Sequence, residues 1–240
     1  MPISREDLEA VVRDGLVADI FRAERAIALL QVSGTRASEI NGGKGNFGEL
    51  FGAFQGALTT EAILAIARLH DQPSKRFPTR CLKGVLELLS AQHKELPTIK
   101  EPYQLELSLR TMDAPPELLA ILQERPAGFA PAFAEFAVSV LEAPERTKAL
   151  ADLKAVRDKS LAHNEHVAAL EGPTWNALID LVEVAKWVVG ALGWAYFSTA
   201  YHVNGEYLLS NDAKRPSLAL GRLLNILYLS PAKPSETPTS

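Results

Sequence analysis

The chain has 240 residues, of which 47% are apolar, 22% charged and 7% aromatic, and its formal net charge is −4. This composition excludes a mainly disordered chain, and the length suffices for one domain with a substantial core. A single cysteine, Cys81, excludes a disulfide framework and a cysteine-based zinc cluster and fits a reducing compartment; the mild acidity argues against a protein that coats nucleic acid through a broad basic face.

In chain order, Leu8, Val11, Val12, Leu16, Ile20, Ile27 and Leu30 keep the three-to-four spacing of an amphipathic helix over residues 5–31, with Ser4 and Asp7 as a candidate capping box. The glycine-dense stretch 33–48, SGTRASEINGGKGNFG, reads as an interhelical loop. It raises the question of a phosphate loop, but Gly43-Lys44-Gly45 lacks the Gly-Lys-Ser/Thr ending that such a loop needs. Helical spacing resumes over 47–70, with Thr59-Thr60-Glu61 as a possible bend site, and Pro73 and Pro78 break it. Residues 79–95 form another amphipathic helix. Residues 96–116 carry four prolines and read as irregular, followed by a short helix over 116–123. Further helices are expected over 130–141, 144–164, 175–202 and 216–229.

No convincing strand and no fixed-period repeat emerges, so the expected architecture is all-α: one helical bundle of six to eight helices over residues 1–229, with a disordered proline-rich tail over 230–240. The first ten residues, MPISREDLEA, lack the apolar run of a signal peptide. The most apolar stretch, from Trp187 to Ala200, falls short of the ~20 residues of a spanning helix and reads as a buried core helix. The expectation is therefore a cytoplasmic protein with no membrane contact. Trp175, Trp187 and Trp194 are expected in the core rather than as base-stacking platforms.

One segment carries chemistry: Val156-Arg157-Asp158-Lys159-Ser160-Leu161-Ala162-His163-Asn164. In a straight α-helix Arg157 and His163 lie about 9 Å apart along the axis and about 120° apart around it. They converge only if the helix ends or bends between them, or if two copies face each other across a symmetric dimer. Arg157 and Asn164 would share a face, as would Lys159 and His163. Structural roles stand beside this reading. Arg157 and Lys159 can offset a helix dipole, Asp158 can pair with Lys154, and Arg68 and Asp71 can form a helix-end ion pair. Lys75, Arg76, Arg80 and Lys83 form the densest basic cluster, read as a solvated loop with an RNA-backbone contact as the alternative. His163 and His166 have no third ligand at metal spacing, so no metal and no cofactor are expected.

The run RDKSLAH resembles the Arg-x(4–6)-His signature of the HEPN superfamily, helical nucleotide-binding domains, and is most similar to the abortive-infection AbiU branch. Ala67-Arg68-Leu69-His70-Asp71 is similar to the Ala-Arg-Leu-aromatic-Asp segment of that branch. The resemblance implies a HEPN-like bundle that dimerises and a metal-independent endoribonuclease acting as a toxin or anti-phage effector. It implies His163 as general acid or base, Arg157 as the phosphate-holding cation and Asp158 as the residue that orients them. Asn164, Lys159, Arg68 and Asp71 would line the substrate site, although the branch often has a basic residue where Asn164 stands. RNA, a second copy of the chain and an antitoxin protein are the implied partners. A catalytically silent HEPN dimer that binds nucleotides or a partner protein, and a purely structural helical protein, are the rival readings.

Overall fold

In the computed structural model, which describes residues 5–42, 47–73, 80–91, 96–162 and 172–229, the N-terminal periodicity becomes one long rod. Helix α1 (Arg5–Val11) passes through a π-helical stretch, Val12–Val17, into α2 (Ala18–Thr35). The rod buries Leu8, Val12, Leu16, Ile20, Ala23 and Ile27. Ser4 and the tail 230–240 lie outside the described residues.

The expected loop over 33–48 is corrected. Helix α2 runs on to Thr35, and a short helix α3 (Ala37–Gly42) follows, anchored by buried Ile40. Glycine density suggested a break, but Ala37 to Asn41 contains no residue that forbids a helix, and burial of Ile40 holds it. Helix α4 (Gly48–Leu69) is continuous through the suspected bend, where the Thr60 hydroxyl donates to the Gly56 carbonyl at 3.0 Å. This helix is long and apolar enough to cross a membrane by length and composition; here it lays Leu58, Ala62, Ile63, Ile66 and Leu69 into the core against α2.

After α5 (Leu82–Ala91) the expectation of irregular chain over 96–116 is also corrected, because Pro102–Thr111 forms helix α6. Pro102 sits at its first turn, where no N–H is needed, and Leu105 and Leu109 are buried on one face. Prolines likewise open α7 (Pro116–Glu124) and α9 (Pro144–Val156), with α8 (Phe129–Leu141) between them. From Arg157 to Ala162 the backbone is π-helical.

Helix α10 (Trp175–Leu192) is the hub of the bundle, touching α2, α4, α6, α8 and α9. The Thr174 hydroxyl caps it by accepting from Ala177 N at 3.2 Å. It is shorter than expected: a π-helical stretch, Gly193–Phe197, follows, and the chain turns away at Ser198 with φ of 50°. A Cβ on Gly193 would collide with the Thr199 carbonyl oxygen, so this return needs glycine. A two-stranded hairpin follows, β1 (His202–Val203) paired antiparallel with β2 (Glu206–Tyr207). Its Asn204-Gly205 turn has positive φ at both residues, the Asn-Gly hairpin signal that the sequence reading passed over. Helix α11 (Ser210–Leu229) begins earlier than expected, carries Pro216 inside it, and packs on α2.

The described chain is an all-α HEPN-like bundle with this one small hairpin. Trp187 and Trp194 pack against the core as expected, whereas Trp175 is 46% exposed at the start of α10, a position that faces outward before the helix meets its neighbours.

Candidate functional site

Helices α4 and α9 converge on a cleft of about 480 Å3 whose wall includes Ala67, His70, Asp71, Lys83, Glu142, Leu150, Lys154 and Arg157. The two segments singled out in the sequence meet here. Arg157, 25% exposed at its side chain, donates from Nε to Asp158 Oδ1 at 2.8 Å and from Nη1 to Asp71 Oδ1 at 3.4 Å. The hydrogen bond that Arg157 donates to Asp158, with the nearby charges of Asp158 and Asp71, raises the Arg157 pKa above its ordinary value. The Asp71 carboxylate also accepts from Gln72 N at 3.2 Å, which fixes it just beyond the end of α4.

The placement of the other candidates follows from local geometry. Asp158 Oδ1 accepts from its neighbour Arg157, one of the roles open to it. Lys159 is exposed on the π-helical stretch. Arg68 does not pair with Asp71. It forks onto buried Asp19 of α2, with Nε at 3.1 and 3.0 Å and Nη2 at 2.7 Å. Arg68, in the last turn of α4, points to α2, and Asp71, past the helix end, reaches Arg157 just beyond α9. His163, Asn164 and His166 lie outside the described residues, as do Lys75 and Arg76. Of the basic cluster, Lys83 lines the cleft and pairs with Glu142 at 3.0 Å, and Arg80 is exposed.

Two cleft residues were not among the expected site residues. His70 is buried, and its Nε2 donates to the Leu181 carbonyl of α10 at 3.1 Å. Burial lowers its pKa to about 4, against an opposing contribution from the Leu181 bond, so the imidazole is neutral at physiological pH. Its signal was a polar side chain at the aromatic position of the Ala-Arg-Leu-aromatic-Asp segment. Lys154 stands one turn before Arg157, and this i, i+3 spacing of two cations was readable. Helix α9 is tied to its neighbours by Arg146, which forks onto Asp180 of α10 at 2.7 and 3.0 Å and donates to the Val140 carbonyl of α8 at 2.8 Å.

A π-helical turn at the motif changes the helical arithmetic, since i→i+5 bonding replaces the 100° step on which the shared face of Arg157 and Asn164 was computed. Among the described residues no group of three His, Cys, Asp or Glu side chains is placed to hold a metal ion.

No curated protein and no solved structure matches the chain. The family model for the AbiU2 HEPN domain matches residues 6–215, a span that includes both segments meeting at the cleft. With most of its length matched and its helices arranged as such a bundle, the chain belongs to the AbiU2 family of HEPN domains, an abortive-infection-related group.

Proposed function

We propose that this protein is a metal-independent endoribonuclease, a toxin or anti-phage effector, that cleaves RNA with Arg157 and His163 at the cleft of a homodimer. The observation that carries this reading is the contact between Arg157 and Asp71, residues 86 positions apart that belong to the two family-like segments. A guanidinium has five N–H donors in a planar fork, and Nε and Nη1 are the atoms held by carboxylates here. The fork is thereby oriented while further N–H groups remain to bind a phosphate.

The chemistry is transesterification. A base, His163 of one protomer, takes the proton of a ribose 2′-hydroxyl; O2′ bonds to phosphorus, and the bond to the 5′-oxygen breaks. The leaving oxygen takes a proton from an imidazolium, His163 of the second protomer, giving a 2′,3′-cyclic phosphate and a 5′-hydroxyl. Arg157 offsets the charge that builds on the phosphoryl oxygens. Asp158 and Asp71 are positioning residues for Arg157, and Lys83 and Lys154 add positive charge to the same wall.

The second reading, a catalytically silent dimer that binds nucleotides or an antitoxin protein, is favoured by the same ion pairs, since two carboxylates offset the Arg157 charge. Labelled RNA incubated with the purified protein in excess chelator decides between them. Cleavage to cyclic-phosphate ends that is lost in Arg157→Ala and His163→Ala, with folding retained, supports the enzyme. An intact RNA pool that the wild-type protein nevertheless retains on a filter supports the binder.

A further inference from the structure

The cleft at Arg157 is not the roomiest cavity of the molecule. A pocket of about 920 Å3 lies between the segment 96–102, helix α6 and the turn from α7 into α8. It falls in the range of about 300–1,000 Å3 typical of small-molecule sites. Its walls are flat and apolar: Pro97, Ile99, Pro102, Leu122 and Pro126. Tyr196, only 2% exposed, also lines it, and the Tyr103 ring, 68% exposed, stands where the pocket opens to solvent.

The walls are fixed before any ligand arrives. Lys100 N donates to the Ala195 carbonyl at 2.8 Å and Glu101 N to the Trp194 carbonyl at 3.2 Å, tying the segment 96–102 to the π-helical stretch that carries Tyr196. One end is polar and equally fixed. Glu106 Oε1 accepts from Arg110 Nε at 3.1 Å and Nη2 at 2.6 Å, and Oε2 accepts from Gln123 Nε2 at 3.0 Å. These bonds hold the Glu106 pKa below its ordinary value, so the pocket end is a carboxylate across the physiological range. A carboxylate oxygen can accept two hydrogen bonds, and Oε2 has only the one from Gln123, so a ligand N–H still finds an acceptor there, whereas an anionic ligand meets like charge. Burial pushes the Tyr196 phenol upward, which keeps it protonated and neutral.

We propose that this pocket is a binding site for an uncharged, planar aromatic small molecule that carries an N–H donor. The flat proline and tyrosine walls take the ring faces, and Glu106 takes the N–H. The site uses no residue of the Arg157 cleft, so it stands whether or not the protein cleaves RNA.

Indole and indole-3-acetate, titrated separately into the full chain and followed by ligand-observed saturation-transfer NMR, test the assignment. Indole is expected to bind saturably and indole-3-acetate at least tenfold more weakly. Tyr103→Ala, at an exposed position, is expected to weaken indole binding severalfold. Ala127→Trp, also at an exposed position, is expected to fill the mouth and abolish binding, with an unchanged circular-dichroism spectrum showing that the fold persists. Absence of saturable indole binding, equal affinity for the two ligands, or indole binding untouched by Ala127→Trp overturns the proposal.

Discussion

His70 gives the molecule a pH-dependent weak point beside the cleft. In the unfolded chain its imidazole titrates near 6.5, and in the folded chain burial lowers this to about 4. Between those values the unfolded state binds a proton that the folded state refuses, so stability is whole above about pH 6.5 and is lost as the pH falls toward 4. Each tenfold step in proton affinity is worth about 1.4 kcal/mol, so the full effect is about 3 kcal/mol. That is a large part of the ~5–15 kcal/mol that hold a typical domain together. His70→Phe keeps a flat ring of similar size, loses the bond to the Leu181 carbonyl, and cannot take up a proton. Near neutral pH the loss should cost about 1 kcal/mol. At about pH 4.5 the variant should be the more stable protein by about 1–2 kcal/mol, because the wild type has by then lost most of the linked free energy. Urea denaturation followed by tryptophan fluorescence at the two pH values measures both. Carboxylate titration affects the two proteins alike and drops out of the difference. Parallel loss of stability in wild type and variant would refute the reasoning.

Two further outcomes follow from the packing around α10. Lys186, 4% exposed, donates to Glu183 Oε1 and contacts Glu24 Oε1, both at 2.6 Å, and Ser210 donates to Glu24 at 2.8 Å. Lys186→Met strands the buried Glu24 carboxylate and should cost about 3–5 kcal/mol in urea denaturation, whereas adding Glu24→Gln should recover most of that loss; a double variant as weak as the single one would count against the pairing. Gly193→Ala should cost about 1–3 kcal/mol, read as a lower melting temperature, since its methyl meets the Thr199 carbonyl and the Tyr201 ring at 2.7 Å; an unchanged melt would mean the return of the chain relaxes freely.

Where the sequence was legible, burial and helical period spoke together. Residues 47–70 and 130–141 were readable because their apolar positions recur every three to four residues and end at proline or at a polar run. Helix α6 was obscured because Pro97 and Pro115 flank it and Pro102 opens it, and proline is compatible with a first turn as well as with a break. The hairpin at 202–207 is too short for strand alternation; only its Asn-Gly turn announces it. At the site, the family-like residues were legible one by one, but their partners were not. Nothing in the spacing says that Arg68 turns to Asp19 while Asp71, three residues on, reaches Arg157. That choice depends on which helix lies across each face. His70 had only its place in that segment to mark it, since its environment is made by the Leu181 carbonyl of a distant helix.

The clamp on Arg157 separates charge from orientation as the source of its role. A lysine in its place keeps one positive charge but offers a single ammonium on a flexible stem, which cannot span Asp158 and Asp71 as the fork does. Both ion pairs are partly exposed, so their loss should change stability by less than about 1 kcal/mol. Were Arg157 simply a local cation, Arg157→Lys would retain RNA cleavage within a fewfold of wild type. If orientation of the guanidinium toward the scissile phosphate is what matters, Arg157→Lys should lose about 100-fold or more in rate, the scale seen when one pre-aimed donor is removed from an oxyanion site. Asp71→Asn should then fall between the two, because Arg157 keeps its charge and its Asp158 contact while losing one anchor. A single-turnover cleavage assay with thermal melts on the same preparations reads both quantities. Full activity in Arg157→Lys would remove the physical reason for two carboxylates to hold this side chain.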